Sequence, residues 1–218
     1  KELIKKASKA KTIALDTETT GLDYMDTDLV GISLSYQAGE AYYIPLKHDD
    51  DSVNQLDLDI VIKELRPLLE GSTNKIIGQN IKFDKNVLAK YGVDIASIKN
   101  DTMLMSYVLD ASATRHNLDA LSSYYLNYKT STFEDVAGKG VKQITFDKVP
   151  IEAATNYAAE DADITLRLYE ELNTRLEGED SLNKLNDEIE IPLIEVLSEM
   201  EQNGAILNSK ILNSQSKD

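Results

Sequence analysis

Asp16 and Glu18 stand two residues apart in Thr-Ile-Ala-Leu-Asp-Thr-Glu-Thr, residues 12 to 19. The run from Thr12 to Leu15 is short and mostly apolar, which predicts a buried strand. Alternate side chains of an extended chain share a face. At a strand's rise the two Cα atoms lie ~6.6 Å apart, so two carboxylates project together from the end of a rigid element. Two further pairs have helical spacing: Asn80 with Asp84, and Tyr157 with Asp161. Residues i and i+4 share a helix face, although Asn80 also suits an N-cap. Taken singly, these are a polar strand end, a helix cap, a surface carboxylate and an amphipathic tyrosine. Together they are four carboxylates from separate segments, a set able to hold two divalent ions ~3.5–4 Å apart and hydrolyse a phosphodiester. Tyr157, with an unperturbed pKa of ~10, is a poor base and better suited to orienting water.

Composition narrows the chemistry. The 218 residues contain no cysteine, which excludes disulfides, thiolate metal sites and cysteine nucleophiles. His48 and His116 are the only histidines, so imidazole metal sites and Ser-His-Asp triads are disfavoured. A metal must then be held by oxygen, which favours Mg²⁺ or Mn²⁺. No apolar run reaches the ~20 residues that cross a bilayer, and no export signal is visible. A cytoplasmic location is expected. Lys1 in place of an initiator Met reads as a fragment of something longer. The net charge of −15 opposes nucleic-acid binding, which normally uses a basic face, unless metal ions neutralise the site and another domain carries the basic surface.

The elements that position these residues follow from periodicity and punctuation. Residues 1 to 11 read as a short helix or linker. Strands are expected at 12–15, 29–36, 41–46 and 75–78, the middle pair forming a hairpin about Gln37-Ala38-Gly39-Glu40. Asp49, Asp50 and Asp51 read as a solvated loop. Leu58, Val61, Ile62, Leu65 and Leu68-Leu69 predict a helix closed by Gly71. Further helices are expected through Lys90, over 101–109 and over 117–126. Residues 129–148 read as an irregular, mobile loop. Gly138-Lys139-Gly140 within it is not a P-loop, because no strand precedes it and no Ser or Thr follows the Lys. Pro150 opens a long helix to about Leu176, and Gly178 interrupts. Another runs from Ser181 to Asn203, split by Pro192 and capped by Gly204. The order predicts a mixed α/β domain over 1–178 with a helical extension over 179–218.

Five stretches carry a resemblance: Leu-Asp-Thr-Glu-Thr (15–19), Gly-Gln-Asn-Ile-Lys-Phe-Asp (78–84), Asp-Thr-Met-Leu (101–104), Thr-Phe-Glu-Asp-Val-Ala-Gly-Lys-Gly (132–140) and Tyr-Ala-Ala-Glu-Asp-Ala-Asp (157–163). With them, nearly the whole chain resembles the 3′-to-5′ proofreading exonuclease domain of the bacterial DNA polymerase I family, the family A polymerases. Glu-Ile-Pro-Leu (190–193) and Met-Glu-Gln-Asn-Gly (200–204) resemble the segment where the polymerase part begins. Phe83 stands where some members carry Tyr.

The resemblance implies a ribonuclease H-like (DnaQ-like) fold, a five-stranded mixed sheet flanked by helices, with a C-terminal extension that begins the polymerase domain. It implies a monomer acting on a single-stranded or frayed DNA 3′ end with two divalent ions, Mg²⁺ or Mn²⁺, Zn²⁺ being an option at one site. Asp16, Glu18 and Asp161 would hold one ion, Asp16 would bridge to the second, and Asp84 would support that one directly or through water. Tyr157 would orient the attacking water. Leu22 and Phe133 would wedge and stack the terminal bases, with Thr19, Gln79, Asn80 and Arg115 near the terminal nucleotides. A silent structural module is the alternative, opposed by the presence of all four carboxylates and Tyr157. A ribonuclease D-like RNA exonuclease is another, opposed by the C-terminal tail.

Overall fold

The computed structural model describes residues 1–50 and 52–217; Asp51, at the end of the aspartate run, lies outside them. Five strands form one mixed sheet: β1 (Thr12–Thr19), β2 (Leu29–Gln37), β3 (Glu40–Pro45), β4 (Lys75–Gly78) and β5 (Ile98–Asp101), in the order β3-β2-β1-β4-β5. β1 is antiparallel to β2 and β2 to β3, while β4 and β5 run parallel to β1. The first half is thus a hairpin meander, and the second half is connected through helices, as parallel strands require.

The helices are α1 (Glu2–Ala7), α2 (Leu58–Leu69), α3 (Ile81–Ala89), α4 (Thr102–Leu109), α5 (Leu118–Leu126), α6 (Phe133–Ala137), α7 (Ile151–Glu177), α8 (Asp180–Leu185), α9 (Ile191–Asn203) and α10 (Ser209–Gln215). Burial along β1 is continuous over Ile13, Ala14 and Leu15 because both faces of the sheet are covered. Ile13 and Leu15 join Ile32, Leu34 and Ile76 against α2 and α3, through Val61, Leu65, Ile81 and Leu88. Ala14 and Ile77 face the other way, onto Leu166 of α7. On that second face the sheet residues are small. Ala14 lies opposite Ser35, Asp16 opposite Ser33 and Glu18 opposite Gly31. Ala154, Ala158 and Ala162 of α7 are also buried and small, so helix and sheet approach closely beside the carboxylates.

Two sequence expectations change. The fifth strand, Ile98–Asp101, was not legible as a strand. It is four residues long, and its last residue, Asp101, is also the N-cap of α4, accepting from the backbone N–H groups of Met103 and Leu104. Residues 129–148 are not an irregular loop throughout. They contain α6, closed at its start by a reciprocal Thr132–Asp135 capping box, then single 3₁₀ turns at Gly140–Lys142 and Phe146–Lys148. Phe146 is buried. At the C-terminal side, Asn186–Glu190 form a π-helical turn between α8 and α9. This is the expected break at Pro192, which occupies the first turn of α9. A proline ring has no N–H to donate and crowds the carbonyl four residues back, and the widened turn places that conflict between two helices.

The extension is fastened to the domain by polar contacts. Ser198 Oγ donates to Asn86 Oδ1 at 2.5 Å, and Gln202 Nε2 donates to the same oxygen at 2.9 Å. Lys85, only 4% exposed, pairs with Asp94 and with Glu195 at 2.9 Å. Ile194 of α9 is buried in the main core.

Candidate active site

β1 pairs with β4 only over Thr12–Ala14. Beyond Ala14 that edge of β1 is open, and its exposed backbone needs another partner. α3 supplies it. Asp84 Oδ1 accepts from Thr17 N at 2.9 Å and from Thr17 Oγ1 at 2.6 Å. Asp84, which taken singly reads as a surface carboxylate, is 2% exposed.

Asp16 and Glu18 leave the opposite face of β1, as the alternation required, and meet Asp161 from α7. One carboxylate oxygen of each lies within 4.8 Å of the others. Ser33 Oγ donates to Asp16 Oδ2 at 3.3 Å. Glu18 Oε1 is buried without a hydrogen-bond partner. Among the described residues, no Lys or Arg forms an ion pair with any of the four carboxylates.

Burial is the first influence on all four acids. It lifts Asp16 to about 6 against the bond from Ser33. Glu18 is raised well above its usual range by burial and then by the charges of Asp16, Asp161 and Asp84. Asp84 and Asp161 are raised by burial and by Asp16, partly offset by Thr17 and by Tyr157 respectively. Tyr157, one helical turn before Asp161, is pushed up by burial and by Asp161, Glu18 and Asp16. It therefore keeps its proton. A crowded, unpaired set of oxygens with an orphaned buried Glu18 atom fits hard divalent cations, which take oxygen ligands. Among the described residues, no Lys or Arg pairs with these carboxylates to neutralise them.

Asp16, Glu18 and Asp84 open into a cleft of about 640 Å³ that is also lined by Thr19, Leu22, Gln79, Asn80, Phe133 and Tyr157, among others, while Asp161, beside Glu18 and Asp16, is not part of its lining. Nine sequence-predicted residues thus share one cavity. Leu22, 95% exposed, stands on the turn after β1, and Phe133 opens α6. Thr19 Oγ1 bonds Gly21 O at 2.7 Å and shapes that turn. Gln79 Nε2 donates to His116 O at 2.8 Å. Arg115 is exposed and does not line the cleft; it sits in the loop that Gln79 anchors.

Asn80 is at the head of α3, but its side chain makes no cap bond and its backbone is left-handed, φ 61°. Asp101 performs the capping instead, accepting from Asn80 N at 3.1 Å and Ile81 N at 2.8 Å. The Asn80 side chain is left to the cleft. Sequence reasoning had not given Asp101 this role. An Asp just before a helix was its one signal, and that signal pointed to α4 alone. Thr17, Ser33 and the cleft wall at Gln143, Ile144, Thr145 and Phe146 were also missed, because each acts across strands or through a loop.

A five-stranded mixed sheet of this order, with acidic residues at the end of its central strand and a third on the helix crossing it, defines the ribonuclease H-like exonuclease class. A family profile described as 3′-5′ exonuclease matches residues 1–177, and the chain belongs to that 3′-5′ exonuclease family of the A-type DNA polymerases. The family is divalent-metal dependent, and this chain carries an acidic triad for it. DNA polymerase I of Pseudomonas aeruginosa is 48% identical over 218 residues, covering 99% of this chain and 24% of that protein. DNA polymerase I of Rhizobium leguminosarum is 39% identical, covering 92% and 21%. The chain therefore spans about a quarter of these relatives.

Solved structures share the fold. The polymerase domain of Pol1 from M. smegmatis, in complex with DNA primer-template and dNTP, has a TM-score of 0.76 at 19% identity, over 99% of this chain and 33% of that one. Brucella melitensis NrnC with bound Mg²⁺ has a TM-score of 0.67 at 23% identity, over 91% and 88%. No helix among the described residues is long and apolar enough to cross a membrane.

Proposed function

We propose that this 3′-5′ exonuclease removes nucleotides one at a time from a single-stranded or frayed DNA 3′ end, as the proofreading part of a DNA polymerase I. The observation that carries this reading is the convergence of Asp16, Glu18 and Asp161 within 4.8 Å, around a buried Glu18 oxygen without a partner. Asp16, Glu18 and Asp161 would hold one divalent ion, and Asp84, on the α3 side, would help Asp16 hold a second. Mg²⁺ or Mn²⁺ suits the all-oxygen set, with Zn²⁺ an option at one position. When bound, such ions supply a nucleophilic water near neutral pH and stabilise the departing oxygen.

The chain's residues do the rest. Tyr157 keeps its proton and orients the attacking water by hydrogen bond. Leu22 and Phe133 receive the terminal bases by wedging and stacking, as aromatic and apolar platforms do for single strands. Thr19, Gln79, Asn80 and Arg115 contact or shape the path of the terminal nucleotides. Residues 179–218 begin the polymerase domain, whose basic surface offsets the −15 charge of this chain. We place the parent protein in the cytoplasm, acting as a monomer.

The test is digestion of 3′-labelled DNA with Mg²⁺ and with chelator, beside an RNA of the same sequence. Release of mononucleotides from DNA, faster from frayed than from paired ends and abolished by chelator, is expected. Full activity in excess chelator would sink the metal mechanism, and a clear preference for RNA would replace DNA as the substrate.

A further inference from the structure

Phe146 is 1% exposed and lies at the centre of four rings. Phe133 stacks on it at 6.4 Å and 23°, and Tyr157 packs against it at 5.8 Å and 51°. Tyr43 meets it edge-on at 6.4 Å, and His48 lies 5.7 Å away. The ring proposed to stack a terminal base and the ring proposed to hold the water are thus supported by the same side chain.

That side chain is itself held in place. His48 Nδ1 is 3.1 Å from Val149 O, and His48 Nε2 is 2.7 Å from the Tyr43 hydroxyl. A carbonyl oxygen only accepts, so Nδ1 carries the hydrogen. In the neutral ring Nε2 is then the acceptor, and Tyr43 donates to it. The bond to Val149 ties His48 to the backbone just past Phe146, immediately before α7. The bond to Tyr43 fixes the second ring from the sheet side.

We propose that Phe146, locked by the Tyr43–His48–Val149 chain of hydrogen bonds, is a positioning residue that sets the Tyr157 hydroxyl relative to a base stacked on Phe133. This inference rests on the water-orienting role given to Tyr157 above. Phe146 has no polar side-chain atom with which to hold an ion or a water. Its effect passes through Tyr157 and appears in the rate of hydrolysis. Small misplacements of a catalytic group are costly, about 10²-fold for an error near 1 Å, and a ring fixed on several sides limits such errors.

The test is a double-mutant cycle on single-turnover hydrolysis of a 3′-labelled single-stranded DNA, with Phe146→Leu, Tyr157→Phe and the double variant. Melting curves with chelator and with Mn²⁺ accompany each, so that an intact fold and metal site are registered by an unchanged Mn²⁺ increment. Phe146→Leu is expected to slow hydrolysis between about 10- and 100-fold. In the Tyr157→Phe background it should slow it by less than about twofold, because the group it positions is already gone. Tyr43→Phe, which deletes only the donated hydrogen bond, enters the same cycle, and decides the matter if Phe146→Leu loses the fold. Multiplicative losses in the double variants would overturn the positioning role while leaving the exonuclease reading intact. A Tyr157→Phe variant as fast as the parent would instead overturn the role of Tyr157 itself, and this inference with it.

Discussion

Asp84 of α3 accepts two hydrogen bonds from a single residue of the central strand, the Thr17 backbone N–H and the Thr17 hydroxyl. The pair joins the two layers at the place where β4 stops covering β1. It also fixes which Asp84 oxygen is engaged with protein, leaving the other for the cleft. Thr17→Val removes the hydroxyl donor and retains shape and the backbone bond. We expect it to destabilise by about 1 kcal/mol, and to weaken divalent-ion binding as the Asp84 carboxylate loses part of what counters its burial. Thr17→Ser should restore both. Mn²⁺ titrations followed by melting temperature measure this, and a Val variant indistinguishable from Ser would show that the bond does not position Asp84.

The carboxylates proposed to do the chemistry were readable because each occupies a spacing that its element enforces. Asp16 and Glu18 share a strand face, and Tyr157 and Asp161 share a helix face, whatever surrounds them. The features that were not readable depend on partners distant in the chain. Thr17 lies 67 positions from Asp84, and Asp101 is 20 positions from Ile81. β5 is too short to show alternation, and its burial comes from β4 and α4. Phe146 sits in a polar stretch with no periodicity, so only its neighbours make it a core residue. Arg115 shows the converse. A residue expected from the resemblance alone stands outside the cleft, next in the chain to His116, whose carbonyl accepts from Gln79.

Gly31 lies beside Glu18 and under the Tyr43 ring. A Cβ there would fall 2.2 Å from the Tyr43 hydroxyl oxygen and 2.4 Å from two ring carbons. Tyr43 cannot simply swing aside, because its hydroxyl is bonded to His48. Gly31→Ala should therefore cost between about 1 and 3 kcal/mol, as overpacking does. Adding Tyr43→Ala removes the obstruction, so the double variant should be more stable than the sum of the single losses predicts. Chemical denaturation of the four proteins gives the comparison, and simple additivity would mean that the two side chains do not collide.

Asp16 titrates near 6 in the folded chain against 3.8 for an ordinary Asp. Between those values the native state holds a proton that the unfolded chain has released. The associated stabilisation is complete below about 3.8 and is lost as pH rises through about 6. For Asp16 this amounts to about 3 kcal/mol, because each tenfold change in proton affinity is worth about 1.36 kcal/mol. Glu18, Asp84 and Asp161 shift in the same direction. In chelator, the melting temperature should fall from pH 4 to 7 more steeply for the parent than for Asp16→Asn. With Mg²⁺ the fall should be reduced, since the cation favours the ionised carboxylates. Parallel chelator profiles for the two proteins would remove Asp16 as a source of the pH dependence.

Asp16 and Tyr157 separate ligand from positioning group. Asp16→Ala removes the proposed bridging ligand and should abolish nearly all hydrolysis, whereas Tyr157→Phe deletes one hydroxyl and should cost on the order of 10²-fold. The stability effects should have the opposite sense for Asp16. Without metal, its charge is crowded by Glu18, Asp84 and Asp161, and like charges at close range disfavour the ionised forms. Removing it relieves that repulsion at neutral pH, a gain in folding made at the expense of activity. Divalent metal binds only the folded site and stabilises by RT ln(1 + [L]/Kd), about 2.7 kcal/mol at a hundredfold excess over Kd. Asp16→Ala should therefore melt higher than the parent in chelator and gain less from Mn²⁺. Four melting curves, parent and variant each with chelator or Mn²⁺, decide this. Equal Mn²⁺ increments would show that Asp16 is not the central ligand, and the arrangement of carboxylates proposed here would have to be redrawn around Glu18 and Asp161.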